Sequence, residues 1–265
     1  VASTAGGNFM MDFFNSKSGW ISQPTYQDLL EWIPINAQKN QKLDIISETI
    51  NALSDTLDYL VVRENECSQE YCKTRIVGSR EGKRYDEIII HDQGQYFYGN
   101  VQENDVSVRL LDTQKMNPFL PKPTEKQLNT FASLIDQCLL RPKRDDSETW
   151  CTGKQWRTLT QFTPRPDSVV QLAKLYEENR AGTINLFPSD GIGFNTKVPG
   201  RHAGETYLEK DAFIGFWGDP VGASAQTLFS EANGSLAPTI YEYLTGENVQ
   251  QGHNGWGFPS LLEKL

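Results

Sequence analysis

The spacing of the apolar residues changes abruptly near residue 58, and this change restricts the possible fold more than any other feature of the chain. Upstream, apolar residues recur at the three- and four-residue intervals of a helix: Leu43, Ile46, Ile50 and Leu53. Downstream, short stretches rich in β-branched and aromatic residues are separated by glycines: Tyr59–Val62, Thr74–Val77, Glu87–His91 and Gln95–Tyr98. Residues 58–123 are therefore predicted to contain a small antiparallel sheet or a meander at a sheet edge.

Helix and strand signals alternate through the rest of the chain, which is typical of an α/β fold. Three later helices begin with favoured start signals: Thr124 with its capping-box partner Gln127, Asp167, and Pro238. Two further strands are predicted, Thr183–Phe187 and Ala212–Trp217, and we expect them to be neighbours. The sequence thus predicts a mixed sheet flanked by helices, with 58–123 as a strand-rich insertion or sheet edge. Val1–Gly19 is interpreted as an irregular loop.

An excess of acidic residues limits the partners that the surface attracts. The chain has 265 residues and a formal net charge of −9, so we expect no nucleic acid to be bound by surface electrostatics. No apolar run approaches the ~20 residues of a membrane-spanning helix, and we predict no membrane span. The first residues show neither a signal peptide nor an initiator Met, so we expect other sequence to precede Val1.

The four cysteines lie at positions 67, 72, 138 and 151. Cys67 and Cys72 are close together beside a hairpin-like stretch, and a disulfide that closes a small loop is the first of three interpretations. Unpaired thiols are the second. Zinc binding is the weakest, because no second Cys or His pair has matching spacing. Cys151 has no nearby His in the sequence to activate it, which argues against a thiol nucleophile.

One of the three histidines lies in a context that suits a binding site. His202 occupies the stretch Pro199-Gly-Arg-His-Ala-Gly-Glu205, where glycines let another group approach the backbone closely. An imidazole there, with Asp190 and Glu205 near in sequence, suits a metal ligand or a general base. An ordinary solvent-exposed loop histidine is the alternative.

The other candidate residues have plainer interpretations. His91 follows three isoleucines and is interpreted as the end of a strand, and His253 as a surface loop residue. Asp190-Gly-Ile-Gly193 is compatible with a phosphate-binding turn, but a structural turn is the more common meaning of such a short pattern. Three aromatic residues near the end of the predicted second strand are interpreted as strand core: Phe213, Phe216 and Trp217.

Four landmarks follow one another within residues 181–264. They are Ala181-Gly-Thr-Ile-Asn-Leu-Phe-Pro-Ser-Asp190, Gly200-Arg-His-Ala-Gly204, Asp211-Ala-Phe-Ile-Gly-Phe-Trp-Gly-Asp-Pro220, and the pair Ser235-Leu-Ala-Pro-Thr239 with Gly252-His-Asn-Gly-Trp-Gly257. In this order they resemble the C-terminal stretch of the alkaline phosphatase superfamily, most closely its nucleotide pyrophosphatase and phosphodiesterase branch. The family has Gly at the position of Ala203, a departure that should be tolerated because the ligand is the neighbouring imidazole.

The resemblance implies an alkaline-phosphatase-like fold, of which residues 1–265 form the C-terminal part. It implies that His202 is a ligand of one of two zinc ions, which lie about 4 Å apart in two-metal phosphoester sites. In the family the nucleophile and the other ligands lie upstream, and this chain has no Asp-His-Gly motif. No catalytic residue is therefore assigned here. The implied partners are a missing N-terminal half of the same domain and a small phosphoester substrate.

The leading hypothesis is a zinc-dependent phosphodiesterase or phosphatase whose C-terminal half, taken alone, is inactive. The alternative is a non-catalytic binding or assembly domain that retains the superfamily scaffold. The usual location of proteins in this family and the disulfide interpretation of Cys67 and Cys72 favour an extracytoplasmic location, periplasmic or secreted.

Overall fold

The computed structural model describes residues 2–4, 8–15, 18–34, 41–101, 109–177, 181–194, 204–218, 221, 228, 230–248 and 258–265. The chain divides into two compact units, Val1–Lys210 and Asp211–Leu265. The described strands of the first unit are β1 (Ala2–Thr4), β2 (Phe9–Met11), β3 (Leu57–Arg63), β4 (Tyr71–Arg80), β5 (Lys83–Asp92), β6 (Gln95–Asn100), β7 (Cys151–Thr152) and β8 (Ile184–Pro188). Its described helices are α1 (Tyr26–Leu30), α2 (Ile45–Ala52), α3 (Glu125–Ile135), α4 (Gly153–Thr160), α5 (Ser168–Lys174) and α6 (Tyr207–Lys210).

These strands form one sheet with the spatial order β1-β2-β8-β3-β4-β5-β6-β7. Every neighbouring pair is antiparallel, so the expectation of a mixed sheet is wrong. For β1–β2 and for β3 to β6 the reason is local, because short connections between successive strands return the chain in the opposite direction. β7 and β8 pair in the same sense with strands that are distant in the chain. Gly82 (φ 75°) and Gly94 (φ 84°) sit in two of the short connections in the left-handed conformation that glycine adopts without strain. The predicted antiparallel meander from β3 to β6 is confirmed.

Helices cover both faces of the sheet, as predicted. Successive side chains of a strand point to opposite faces, and β3 shows this directly. Tyr59 and Val61 pack with residues of α3, α4 and α5, whereas Leu60 and Val62 pack with residues of α1 and α2. All residues of β3 are buried, which identifies it as a central strand. No helix within the described residues is long and apolar enough to cross a bilayer.

Two strand predictions fail for a single reason. The segment interpreted as an irregular loop, Val1–Gly19, contributes β1 and β2, and β2 pairs with one edge of β8. β3 pairs with the other edge. Both edges of β8 are therefore occupied, and Ala212–Trp217 cannot be its neighbour. That segment lies within the described residues and forms no strand.

The helices predicted to begin after Thr124 and Asp167 are present, and the helix predicted at Pro238 begins two residues earlier, at Leu236. Thr25 and Thr124 form complete capping boxes at α1 and α3. Asp167 precedes α5 with a left-handed backbone (φ 58°) and gives it no side-chain cap. Its carboxylate instead accepts hydrogen bonds from Arg157 Nε (3.3 Å) and Gln171 Nε2 (2.8 Å).

The second unit leaves much apolar surface uncovered. Its main helix, α7 (Leu236–Thr245), ends at Gly246, which adopts the left-handed conformation common at helix C-termini. A stripe of apolar side chains on α7 is exposed: Leu236, Ile240, Tyr243 and Leu244. Phe213 is 94% and Trp217 is 99% exposed, and Phe216 is half-buried, so their interpretation as strand core is wrong. Without a paired strand at 212–217 there is no sheet face to bury them.

The structure contains two disulfides. The predicted bond between Cys67 and Cys72 is confirmed, and a second bond joins Cys138 to Cys151. Cys138 lies in a π-helical turn, Asp136–Leu140, that continues α3, and Cys151 lies in β7. This bond therefore ties a helix that covers one face to the edge of the sheet.

Replacing the Cys138–Cys151 pair by alanines is expected to cost more stability than replacing the Cys67–Cys72 pair. The first pair closes a loop with a sequence separation of 13 residues and the second a separation of 5. Loop-closure entropy then predicts losses of about 3 and about 2 kcal/mol, respectively. Urea unfolding of the two double variants measures the difference. A larger loss for the Cys67–Cys72 pair would contradict this account.

Candidate functional site

Of the residues near His202 that were predicted to carry chemistry, Asp190 and Glu205 lie within the described part of the chain. His202 and His253 lie outside the described residues, so their roles stay predictions. Asp190 is exposed at the start of that loop. The Ile192 amide donates to the Ser189 carbonyl (3.0 Å), which makes the Asp190-Gly-Ile-Gly193 stretch a hydrogen-bonded turn.

Glu205, the other carboxylate close to His202 in sequence, is already engaged. Its side chain is only 11% exposed, and Oε2 accepts hydrogen bonds from Ser168 Oγ (2.6 Å) and Lys210 Nζ (2.6 Å). A metal ion that bound this oxygen would have to displace the ammonium group of Lys210. Glu205 is therefore better suited to fastening the chain than to binding a metal.

A buried ionic cluster lies where β3 begins, beside the end of β8. Asp58 binds the guanidinium of Arg165 through Oδ2 and that of Arg80 through Oδ1, the latter at 2.6 Å. Arg80 also donates to the carbonyls of Asp58 (3.1 Å) and Leu110 (3.3 Å), and Arg165 lies over the ring of Tyr59. We call Asp58, Tyr59, Arg80 and Arg165 the Asp58 cluster.

One carboxylate serves two guanidinium groups in the Asp58 cluster, and each of its oxygens binds one of them. The side chains of Asp58 and Arg165 are 8% and 7% exposed, so neither guanidinium–carboxylate contact is open to exchange with a dissolved anion. Arg80 is more exposed, but its donors are directed at Asp58 and at backbone carbonyls. The arrangement joins β3, β4, the turn before α5 and residue 110, and its role is to hold these segments in place.

His91 lies at the end of β5, one residue before its last, as predicted, and is buried. Its ring stacks on Tyr96 with 4.5 Å between the centroids. Nε2 accepts a hydrogen bond from the Gly94 amide (3.1 Å), and Nδ1 lies 3.1 Å from Oε1 of Glu177. Because Nε2 accepts a hydrogen bond, it carries no proton. In a neutral imidazole the proton is then on Nδ1, on the side of Glu177. With a side chain only 4% exposed, His91 is a structural residue.

The described residues do not fit a zinc pair. Among them, no group of three or more His, Cys, Asp or Glu side chains is close enough to hold a metal ion. A catalytic zinc needs about three protein ligands, and Glu205 is engaged by Lys210. No catalytic step is therefore derived through zinc from these residues.

Glu87 has the most strongly raised pKa among the described carboxylates, and the sequence analysis did not single it out. It is fully buried on β5, accepts a hydrogen bond from Tyr98 Oη, and accepts the Leu110 amide on both oxygens at 3.1 Å. Burial raises the pKa of Glu87 to about 7, although Tyr98, Arg109 and Arg80 act to lower it. Glu87 and Tyr98 thus fasten residues 109–111 to the sheet.

Glu87→Gln is expected to remove a pH dependence of stability. Because folding raises the pKa from the ordinary 4.5 to about 7, this contribution to stability is complete below pH 4.5 and is lost as the pH rises through 7. The wild-type free energy of unfolding, relative to Glu87→Gln, should fall by about 2–3 kcal/mol between roughly pH 5 and pH 8. Urea unfolding at both pH values measures this, with Glu48→Gln on the exposed side of α2 as control. A difference that is constant with pH would contradict the assignment.

The Asp58 cluster and the buried pair of Glu87 and Tyr98 were missed in the sequence for the same reason. Asp58 and Arg165 are 107 residues apart in the chain, and no local pattern joins them. A charged residue at the start of a run of apolar residues was the available signal: Asp58 precedes Tyr-Leu-Val-Val, and Glu87 precedes three isoleucines. A buried charge needs a hydrogen-bonding or oppositely charged partner. The sequence at each of these positions therefore indicates that a partner exists, but not which residue it is.

Similarity to known proteins offers no independent guide to this site. Sequence landmarks and the geometry of the described residues are therefore the basis for any assignment of function. No protein-family model matches the chain, and no curated protein or solved structure shows significant similarity to it.

Proposed function

We propose that this chain is the C-terminal half of a metal-dependent phosphoester hydrolase, a phosphodiesterase or phosphatase that resembles the alkaline phosphatase superfamily. The observation that carries the proposal is the order of the four landmarks within residues 181–264. The first landmark contains β8, an interior strand of the sheet. A loop that follows a rigid interior strand is a favourable place for a functional residue, and His202 follows β8 in this loop.

The contribution of this chain to the site is one imidazole. The nucleophile and the other metal ligands belong, in this proposal, to sequence upstream of Val1. Glu205 does not complete the site, because Lys210 and Ser168 engage it. The chain alone is then expected to bind zinc weakly and to hydrolyse no phosphoester.

The uncovered apolar surface of the second unit supports an incomplete domain. Phe213 and Trp217 are almost fully exposed, and α7 exposes four apolar side chains along one stripe. Extended apolar surface on a folded protein marks a site that another polypeptide covers. We propose that the missing N-terminal half of the same domain covers this apolar surface.

A non-catalytic binding or assembly domain is the second candidate. The same exposed apolar side chains favour a binding domain, since a surface that docks a partner protein is also apolar and exposed when the partner is absent. No three-ligand metal group occurs within the described residues, which is compatible with this reading as well. The two candidates differ in one respect: only the hydrolase requires upstream sequence with an Asp-His-Gly motif and a Ser or Thr nucleophile.

The two disulfides are relevant to the cellular compartment of the protein. Structural disulfides persist where the surroundings are oxidising, and this chain forms two. We propose an extracytoplasmic location on this basis.

Hydrolysis of an aryl phosphodiester tests the proposed function. The complete protein, with zinc, should turn the substrate over, and this chain alone should not. An intact mass for the native protein that corresponds to a start at Val1 would contradict the proposal and favour the binding domain.

A further inference from the structure

We infer that the Cys67–Cys72 disulfide is a reversible redox site, which a dithiol reductant opens in the folded protein, whereas the Cys138–Cys151 disulfide is a permanent structural bond. This redox site is separate from the proposed hydrolase function. Three features of the described residues point to it: the unequal burial of the four cysteines, the polar atoms beside the two sulfurs, and the hydrogen bonds that close the turn around them.

The two disulfides differ in their access to a dissolved thiol. Cys67 is half-buried in the turn between β3 and β4, and residues 68–70, which follow it, are exposed. Its partner Cys72 is buried, with 1% exposure. Cys138 and Cys151 are both buried, with 1% and 0% exposure. Thiol–disulfide exchange requires a thiolate to reach a sulfur atom, so of the four cysteines Cys67 offers the point of attack.

The two sulfurs of this bond have different polar neighbours. The Sγ of Cys72 lies 3.5 Å from Oγ1 of Thr74, and the hydroxyl is the donor because a bonded sulfur carries no hydrogen. The Sγ of Cys67 lies 3.7 Å from the carbonyl oxygen of Asn65, which can only accept. A hydrogen-bond donor stabilises a thiolate, whereas an acceptor stabilises a thiol. Cys72 is therefore the sulfur better suited to leave as a thiolate.

The exchange proceeds in two balanced steps. A thiolate of the dithiol bonds to the Cys67 sulfur, the Cys67–Cys72 bond breaks, and its electron pair stays on the Cys72 sulfur. The second thiol of the reductant loses its proton and attacks the reductant's own sulfur in the mixed disulfide, which releases Cys67. The two cysteines gain the two electrons and two protons that the dithiol loses, and the reductant leaves as a disulfide. A dithiol is needed because the Cys72 thiolate can otherwise attack the mixed disulfide and re-form the original bond.

Hydrogen bonds close the turn between β3 and β4 independently of the disulfide. The Glu64 amide donates to the Lys73 carbonyl (2.7 Å), and the Lys73 amide donates to Oδ1 of Asn65 (2.8 Å). Nearer the tip of the turn, the Ser68 amide donates to the Tyr71 carbonyl (2.9 Å). These contacts enclose the same short loop as the disulfide, so reduction leaves the two thiols near each other. Two thiols held at a high effective concentration re-form their bond readily when a disulfide oxidant is supplied.

Selective reduction under native conditions tests the redox site. The folded chain is treated with dithiothreitol without denaturant, samples are quenched with acid and then unfolded and alkylated, and mass spectrometry measures the label at each cysteine. The Cys67–Cys72 bond should be reduced at least about a hundredfold faster than the Cys138–Cys151 bond, whose reduction requires the protein to open. Oxidised glutathione, added after the reductant is removed, should restore the Cys67–Cys72 bond. Equal reduction rates for the two bonds, or a Cys67–Cys72 pair that stays reduced, would overturn the inference.

Thr74→Val tests the assignment of Cys72 as the leaving sulfur. Valine has nearly the shape of threonine but no hydroxyl, so reduction of the Cys67–Cys72 bond should slow by at least about threefold as the thiolate loses its donor. Lost stability cannot imitate this result, because a destabilised protein opens more often and is reduced faster. Thr113→Val is the matched control and should leave the rate unchanged, since it removes a fully buried hydroxyl that has no hydrogen-bond partner among the described residues. An unchanged or faster rate in Thr74→Val would overturn the role of Cys72.

Discussion

Asp58→Ala is expected to destabilise the protein by about 3–5 kcal/mol, the cost of leaving a buried charge without its partner. Among the described residues, Asp58 is the carboxylate that binds both Arg165 and Arg80. Arg165 is 7% exposed, so it cannot recover the lost contact from water. A loss of this size is a large share of the ~5–15 kcal/mol that stabilises a typical protein. The midpoint of urea unfolding, with an unchanged slope, measures it.

An exposed ion pair provides the matched control. Glu31 and Lys42 make the same type of contact at 2.6 Å, but their side chains are 57% and 54% exposed. Glu31→Ala should therefore cost at most about 1 kcal/mol. The double variant Asp58→Ala/Arg165→Met should recover part of the loss, because it removes the uncompensated charge. If Asp58→Ala costs no more than Glu31→Ala, the Asp58 cluster does not hold these segments together.

The sequence predicted the centre of the fold well. Four β-rich stretches between residues 58 and 98 became β3 to β6, because their composition and their glycine turns act over short distances in the chain. The capping boxes at Thr25 and Thr124 are also local, and so is the Cys67–Cys72 disulfide. Each of these features depends on residues within a few positions of one another.

Apart from the missed β1–β2 pair, the failures involve pairing over long distances in the chain. β2 is three residues long and carries no alternation, yet it occupies the edge of β8 that Ala212–Trp217 was expected to use. The local pattern of apolar and β-branched residues identifies a stretch that can form a strand, but it does not show which other strand will pair with it. The same limit applies to the candidate site. Glycines drew attention to His202, whereas Glu205 is engaged by Ser168, a serine 37 residues away that no local pattern indicates.

The second large effect is expected at His202. In the complete protein, His202→Ala should lower zinc affinity and turnover together, because the proposed role of this imidazole is to bind metal. A ligand contributes more than the residues that orient it, so a loss of turnover of at least about a hundredfold is expected.

His253→Ala is the matched control for this experiment. His253 also lies between small or polar neighbours, Gly252 and Asn254, but it is interpreted as a surface loop residue. The same chemical change at this position should leave zinc affinity and turnover unaltered. A loss of activity in both variants would point to a general effect of removing a loop imidazole and not to a metal ligand.

The most direct test of the incomplete-site proposal is the rate of aryl phosphodiester hydrolysis at matched zinc concentration. It is measured for the complete protein, its His202→Ala variant and this chain alone. The account predicts turnover by the complete protein, a loss of at least about a hundredfold in His202→Ala, and none by residues 1–265. Unchanged turnover in His202→Ala would make His202 an ordinary loop residue. Full activity from this chain alone would contradict the account altogether, because the catalytic centre would then lie within these residues.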